Sequence, residues 1–346
     1  MDWHKKRILV TGGASFIGSH LVDALVELNP KKLRVVDNLS SGKFENIEDK
    51  VKAGQIEFHR KNLLNPSVTK RVVKDIDIIF HLAADHGGRG YVDLHQVACS
   101  TNLILDGLVF KSAYEAGVEK IIFASSGCVY PNYLQTDLSK EIYLKESDVG
   151  PPFDADNLYG WAKLMAEFTL QAYAKEKNMQ SVSCRYFTVY GPRGVENHAV
   201  IAMIAKAFTK QDPFEIWGTG EQIRNWTYVE DIVQGTILAA EKINETMAIN
   251  LGSTERIRVI DAAKMAIDYV RNKYYPDYFP KIVTRPEMPT GPMNRVADNT
   301  LSKKLLGDWQ KVSFEEGLKK TIDWYFSNKN ITEVKKIIKT SLTEKI

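Results

Sequence analysis

Cysteine is scarce in this chain of 346 residues, which has only Cys99, Cys128 and Cys184. The number is odd and no pair stands in a C-x-x-C spacing, which argues against a disulfide framework and against a zinc site. No metal is expected. An excess of charge of one sign is missing too: 46 Lys and Arg face 43 Asp and Glu, a net +3 at pH 7. The basic residues are scattered, so no nucleic-acid partner is expected. A local basic surplus would still suit an anionic small molecule. Long hydrophobic runs are absent as well. No stretch reaches the roughly 18 apolar residues that a membrane span needs, and the opening MDWHKKRILVTGG has charges but no apolar signal core. No repeat or low-complexity tract occurs. These absences point to a soluble protein of the reducing cytoplasm, with no membrane partner.

Present instead are short apolar runs alternating with longer amphipathic stretches. RILVTGG, KLRVVDN, IDIIFHLAA, EKIIFASS and SVSCRYFTVYG read as strands. SFIGSHLVDALVEL, TNLILDGLVFKSAYEAG and LYGWAKLMAEFTLQAYAKEK read as helices. Apolar runs that do not alternate indicate parallel strands buried on both faces. The βαβα order then predicts an α/β fold with a doubly wound parallel sheet. After Gly191 the texture changes, and residues 192–224 and 256–300 hold most of the loop-like prolines and glycines. The pattern predicts a main domain over 1–191, rejoined by 225–255, and a smaller discontinuous lobe from 192–224 and 256–330. Residues 331–346, with Ile331, Val334, Ile337 and Ile338 near helical spacing, predict a C-terminal surface helix.

VTGGASFIG follows the first strand and opens the first helix, the setting that gives a glycine-rich turn its meaning. Gly12 and Gly13 permit a tight turn, and the helix N-terminus with its outward N–H groups favours a pyrophosphate. Ser15, Phe16 and Ile17 complete the turn, and Gly18 is expected to let the helix lie close to the sheet. About 20 residues later Asp37 ends the second strand, where it can accept from a ribose hydroxyl and repel a 2′-phosphate. NAD is therefore expected rather than NADP. Asn38, Ser41 and Gly42 follow Asp37. Asn62 with Leu63, and Ala83 with Ala84, stand at later strand ends, where an adenine and the second phosphate edge would lie. In YGWAK, Tyr159 and Lys163 share one face of a helix. A nearby ammonium is expected to lower a phenol from its usual value of about 10. FASSGCVYP sets Ser125, Ser126 and Cys128 at a strand's carboxyl end.

Together TGGASFIG, DNLSSGK, HLAA, YGWAK and RYFTVYGPR resemble the extended short-chain dehydrogenase/reductase family, in its branch of nucleotide-sugar epimerases and dehydratases. The resemblance runs through WGTGEQIRNWTYVEDI to NRVADNT, nearly the whole chain. It implies a Rossmann-type sheet, a smaller substrate-binding lobe, NAD as cofactor and a nucleotide-diphosphate sugar as substrate. It also implies Tyr159 as the base at a sugar hydroxyl, Ser126 holding that oxygen, and Lys163 on the nicotinamide ribose. One departure is Ser15, where the family usually has Gly; the turn opens slightly, or the hydroxyl bonds a phosphate. Dehydratases of the family carry Thr-Asp-Glu at the strand end, and Ser126-Gly127-Cys128 here argues against dehydration.

Two epimerisations stay open. ASSGCVYP and AADHGGRGYV, with Gly88 and Arg89 facing the sugar, are similar to GDP-mannose 3,5-epimerases, in which the cysteine is one of two acid/base groups. Their second group precedes a helix of the substrate lobe, and His198 stands nearest that place. DNLSSGK and RYFTVYGPR instead resemble UDP-glucose and UDP-glucuronate 4-epimerases. Arg224 and Arg295 match positions where arginines hold the diphosphate. The helices containing TNLILDGLVF and LYGWAKLMAEF resemble the family's dimer-forming pair, so a homodimer is expected.

Overall fold

The apolar runs come together as one parallel sheet in the computed structural model, which describes residues 1–340. Its strands are β1 (Arg7–Thr11), β2 (Lys32–Asp37), β3 (Glu57–Arg60), β4 (Ile78–His81), β5 (Lys120–Ser126), β6 (Gln180–Tyr186) and a last strand, Met247–Leu251. From one edge the order is Met247–Leu251, β6, β5, β4, β1, β2, β3, every pair parallel. Strand order reverses between β4 and β1, so a crevice opens at their carboxyl ends. Strand β3 escapes the search for apolar runs. It sits at the sheet edge, where Glu57, His59 and Arg60 face partly into water.

The helices are α1 (Phe16–Glu27), α2 (Glu48–Lys52), α3 (Pro66–Val72), α4 (Arg89–Leu94), α5 (Gln96–Glu115), α6 (Asn157–Lys177), α7 (Ala199–Phe208), α8 (Val229–Lys242), α9 (Val259–Lys273), α10 (Thr300–Leu306), α11 (Phe314–Asn328) and α12 (Ile331–Thr340). On β1, Ile8 and Val10 join one core with Leu21, Val22 and Ile232 from α1 and α8. Leu9 joins the opposite core with Val72, Val109, Phe110 and Leu170 from α3, α5 and α6. Successive strand side chains point to opposite faces, and here both faces are covered. Each such side chain contributes about 1.5–3 kcal/mol on full burial.

The second lobe has its own core of Val200, Ile201, Ile204, Ala263, Ala266, Leu318, Ile322 and Tyr325, drawn from α7, α9 and α11. Helix α9 lies in a stretch whose prolines suggest loop; Ala262, Ala263, Ala266, Ile267 and Val270 form its buried face. The domain limits read from the sequence need correction. Leu306 and Trp309 pack into the main core, whereas Trp226 and Tyr228 pack into the lobe. The run SVSCRYFTVYG also breaks after Tyr186, because Val189–Tyr190 pairs with Thr227–Tyr228 instead of extending β6. Helix α12 lies against α7 through the buried Val334, and residues 341–346 of the expected C-terminal helix lie outside the described residues. Among the described residues, no helix is long and apolar enough to cross a membrane.

Candidate active site

The turn after β1 is built by close contacts that only glycine permits. Gly12 adopts φ +71°, and a Cβ on Gly18 would stand 2.1 Å from the Gly12 carbonyl oxygen. Gly18 thus lets α1 lie directly against the backbone that leaves β1. The Ser15 hydroxyl donates to the Gly12 carbonyl at 2.5 Å, closing the turn on itself instead of opening it. Phe16 and Ile17 open α1 and line the main cleft. Asp37 is buried at the end of β2, where Ala14 N–H donates to Oδ2 at 3.0 Å and Leu39 N–H to Oδ1 at 2.8 Å. A Cβ on Gly42 would press on both carboxylate oxygens at 2.8 Å. Asp37, Asn38, Ser41, Asn62, Leu63, Ala83 and Ala84 line one small cleft of about 90 Å³ beside Gly12. The glycine cradle, a carboxylate aimed by backbone N–H groups and this narrow cleft fit an adenosine dinucleotide.

A larger cleft of about 370 Å³ continues from α1 between the carboxyl ends of the strands and the second lobe. Strand β5 delivers Ser126 to its floor, and the turn Gly127–Val129 follows, with Cys128 N–H donating to Ser126 Oγ at 3.1 Å. Helix α6 begins against that turn: a Cβ on Gly160 would stand 2.3 Å from the Cys128 carbonyl oxygen. Tyr159 and Lys163 thus face the strand end, one helical turn apart. Lys163 Nζ lies 4.5 Å from the centre of the Phe123 ring and 5.9 Å from that of Tyr159. Burial pushes the Tyr159 phenol well above its usual range, Cys128, Asp106 and Cys99 push it further, and its hydrogen bond with Ser126 opposes them. The expected lowering by Lys163 is therefore not what this structure shows. Burial dominates instead, and burial also lowers Lys163 itself.

Cys128 is half-buried, and its Sγ accepts from Arg295 Nη1 at 3.2 Å. Arg295 also donates to Gln135 Oε1 at 2.6 Å and to Asp156 Oδ2 at 2.9 Å. The same Asp156 oxygen receives Arg89 Nη1 at 2.8 Å. Burial would raise this carboxyl, but Arg295 and Arg89 overcome it and hold it below the usual range. Arg224, on the lobe side, donates to the backbone carbonyls of Ile223 and Thr290. Burial, then repulsion from Arg295 and Arg89, lowers it to about 9.

His198 caps α7 and lines the same cleft, its ring centre 6.3 Å from that of His86. Burial pushes it down to about 4, far from an ordinary imidazole. Gly88 meets the lobe next to it, since a Cβ there would stand 1.7 Å from the Asn197 carbonyl oxygen. Lys206, two turns into α7, also lines the cleft; its ammonium donates to the Glu215 carbonyl at 2.6 Å, and burial lowers it to about 8. Asp156, Gln135 and Lys206 were not foreseen. Only Lys206 leaves a trace in the sequence, as one cation inside the apolar AVIAMIAKAF.

Comparison with known proteins agrees with this geometry. The model of the NAD dependent epimerase/dehydratase family matches residues 8–252. GDP-mannose 3,5-epimerase 1 of Oryza sativa subsp. indica is 30% identical over 332 residues, covering 92% of this chain and 82% of its own. UDP-N-acetyl-alpha-D-glucosaminuronate decarboxylase of Bacillus cytotoxicus is 32% identical over 346 residues, covering 93% and 98%. The crystal structure of UDP-glucose 4-epimerase from Thermotoga maritima with UDP-glucose superposes with a TM-score of 0.81 at 30% identity, covering 93% of this chain and 99% of that one.

Proposed function

This chain belongs to the NAD-dependent epimerase/dehydratase family, and from that premise we propose that it is a nucleotide-sugar epimerase acting through a transient 4-keto sugar, with Cys128 exchanging protons at C3 or C5. The observation that carries the reading is the placement of the Cys128 thiol in the cleft beside Ser126 and Tyr159, with Arg295 Nη1 at 3.2 Å. NAD, when bound, would supply a reversible hydride acceptor for the sugar carbon. Tyr159 removes the hydroxyl proton, Ser126 holds the oxygen, and Lys163 orients the nicotinamide ribose. A ketone at C4 acidifies the hydrogens on its neighbouring carbons, and a positioned thiol can remove and return them. Arg295, fixed by Gln135 and Asp156, offers a cation to the sulfur once its proton has gone. Of the two arginines expected at the diphosphate, Arg295 is engaged by Gln135, Asp156 and Cys128, and the role is proposed for Arg224, since phosphate oxygens suit a planar guanidinium. The cysteine and the glycine loop favour a GDP-mannose-like substrate.

His198 favours a second reading, a UDP-glucose or UDP-glucuronate 4-epimerase. With the imidazole pushed down to about 4, the ring is neutral at pH 7 and lacks the acidic proton of an imidazolium. Inversion at C4 needs no such group.

The exposed apolar side chains support a homodimer. Leu94, Val97, Leu103 and Ile104 on α4 and α5, and Leu158, Trp161 and Met165 on α6, lie on neighbouring helices, with Val97 82% exposed. Self-pairing of such a patch gives a two-fold dimer.

Incubation with NAD and a panel of GDP- and UDP-sugars, followed by NMR of the products, tests the reading. An epimer should form without net NADH. Tyr159→Phe should lower turnover by about 10²-fold or more with NAD binding kept. Normal turnover in that variant would move the chemistry elsewhere, and accumulating NADH would make the protein a dehydrogenase.

A further inference from the structure

Behind Lys163 runs a buried hydrogen-bond chain that the proposed reaction leaves unused. It begins at the cofactor turn, where Leu82 and Ala83 N–H both donate to Thr11 Oγ1 at 3.1 Å. A threonine hydroxyl has two lone pairs and one proton. With both lone pairs engaged, its proton goes to His81 Nδ1, 2.7 Å away. His81 Nδ1 is thus an acceptor, which leaves the proton on Nε2 to be donated to Asp106 Oδ1 at 3.0 Å. The imidazole is neutral in this arrangement and does not cancel the charge of Asp106. Asp106 is 2% exposed, and its Oδ2 has no hydrogen-bond partner among the described residues.

An ionised carboxylate in such a place needs a cation nearby. Lys163 meets that need. His81 lies against the Phe123 ring, its centre 5.9 Å away, and Lys163 Nζ stands over the same ring at 4.5 Å. We propose that Asp106 is a positioning residue that keeps the buried Lys163 charged and so sets the pH range in which Tyr159 works. Thr11 and His81 hold Asp106 in place for this.

The charges around the pair agree. Burial lowers Lys163, and Asp106 is the foremost charge opposing it, ahead of Glu167. Glu167, on α6, is already engaged by Arg185 at 2.8 Å and by Ser125 at 2.5 Å. Tyr159 faces Cys99 and Asp106 from α5 and Cys128 and Ser126 from the strand end, and Asp106 acts against its ionisation. One carboxylate therefore works on both members of the Tyr159–Lys163 pair. With Asp106 neutral, Lys163 and Tyr159 both give up their protons at lower pH, so both limbs of the activity profile move down.

The inference rests on the roles given above to Tyr159 and Lys163. Its test is Asp106→Asn, which keeps the shape and removes the charge. The pH profile of transient NADH formation, measured with whichever nucleotide sugar is turned over, should shift to lower pH at both limbs by about one unit. A slower reaction with both limbs unmoved would overturn the proposal, leaving Asp106 a packing residue. Thermal melting of the substrate-free chain gives a second measure that needs no turnover. Lys163→Met leaves Asp106 without its cation, so Lys163→Met/Asp106→Asn should melt above Lys163→Met alone. Additive losses would refute the pairing. Were Tyr159→Phe fully active, the reading of the reaction would fall, while the melting comparison would still decide whether Asp106 and Lys163 pair.

Discussion

Replacing Cys128 by alanine separates the two epimerisations, because the structure isolates what the change removes. The backbone at this position is held without the thiol: Cys128 N–H donates to Ser126 Oγ at 3.1 Å and its carbonyl accepts from Asp156 N–H at 2.9 Å. Among the described residues, the hydrogen bond at the sulfur is the one from Arg295. Losing that contact, a hydrogen bond from a charged donor, costs about 1.5–3 kcal/mol, roughly 10- to 150-fold if all of it fell on the rate. Losing a working acid/base group costs about 10²- to 10⁴-fold. The two ranges meet near 10²-fold, so isotope exchange, and not the size of the loss, is diagnostic. In heavy water the unmodified enzyme should place deuterium on C3 or C5 of the sugar, read by NMR. Cys128→Ala should abolish this while transient NADH still forms, since Tyr159 and Lys163 are untouched. Cys128→Ser should restore little, a hydroxyl being a far weaker acid than a thiol. Efficient product formation with no deuterium in the ring would refute the reasoning and leave a 4-epimerase in which Cys128 only packs.

Further outcomes follow from the cofactor cleft, the arginine cluster and the exposed helices. Asp37→Ala should narrow the preference for NAD over NADP, measured by fluorescence titration; equal affinities in the unmodified protein would remove Asp37 from the ribose. Asp156→Asn leaves the buried Arg295 without its carboxylate, while the half-buried Arg89 keeps Asp93, at a cost of about 3–5 kcal/mol visible in thermal melting. Because Arg295 and Arg89 hold Asp156 below its unfolded range, its contribution is present above pH of about 4 and lost as pH falls through its lower folded value. The variant should lose that part of the acid-unfolding curve, and an unchanged curve would deny the pairing. Val97→Glu should turn a dimer into a monomer by light scattering, and no change in mass would place any interface elsewhere.

The sheet was legible because strands covered on both faces carry unbroken apolar runs, as in Ile78–His81 and Lys120–Ser126. Strand β3 was not, because an edge strand half in water carries Glu57, His59 and Arg60. Tyr159, Lys163 and the glycine turn could be read since their partners lie within one helical turn or one loop. The cluster around Cys128 could not. Asp156 and Gln135 meet Arg295 from 139 and 160 residues away, and no local spacing announces such a meeting. The weak basicity of His198 was equally hidden, because it comes from desolvation by the folded lobe and not from sequence neighbours.

At Gly88 the loop after β4 and the segment before α7 touch main chain to main chain, with no room for even a methyl group. Side chains can change rotamer and yield, but two backbones in contact hold their spacing, so the distance between the two walls of the cleft is fixed at this point. Any residue larger than glycine would wedge them apart and carry His198 away from the strand end that bears Cys128.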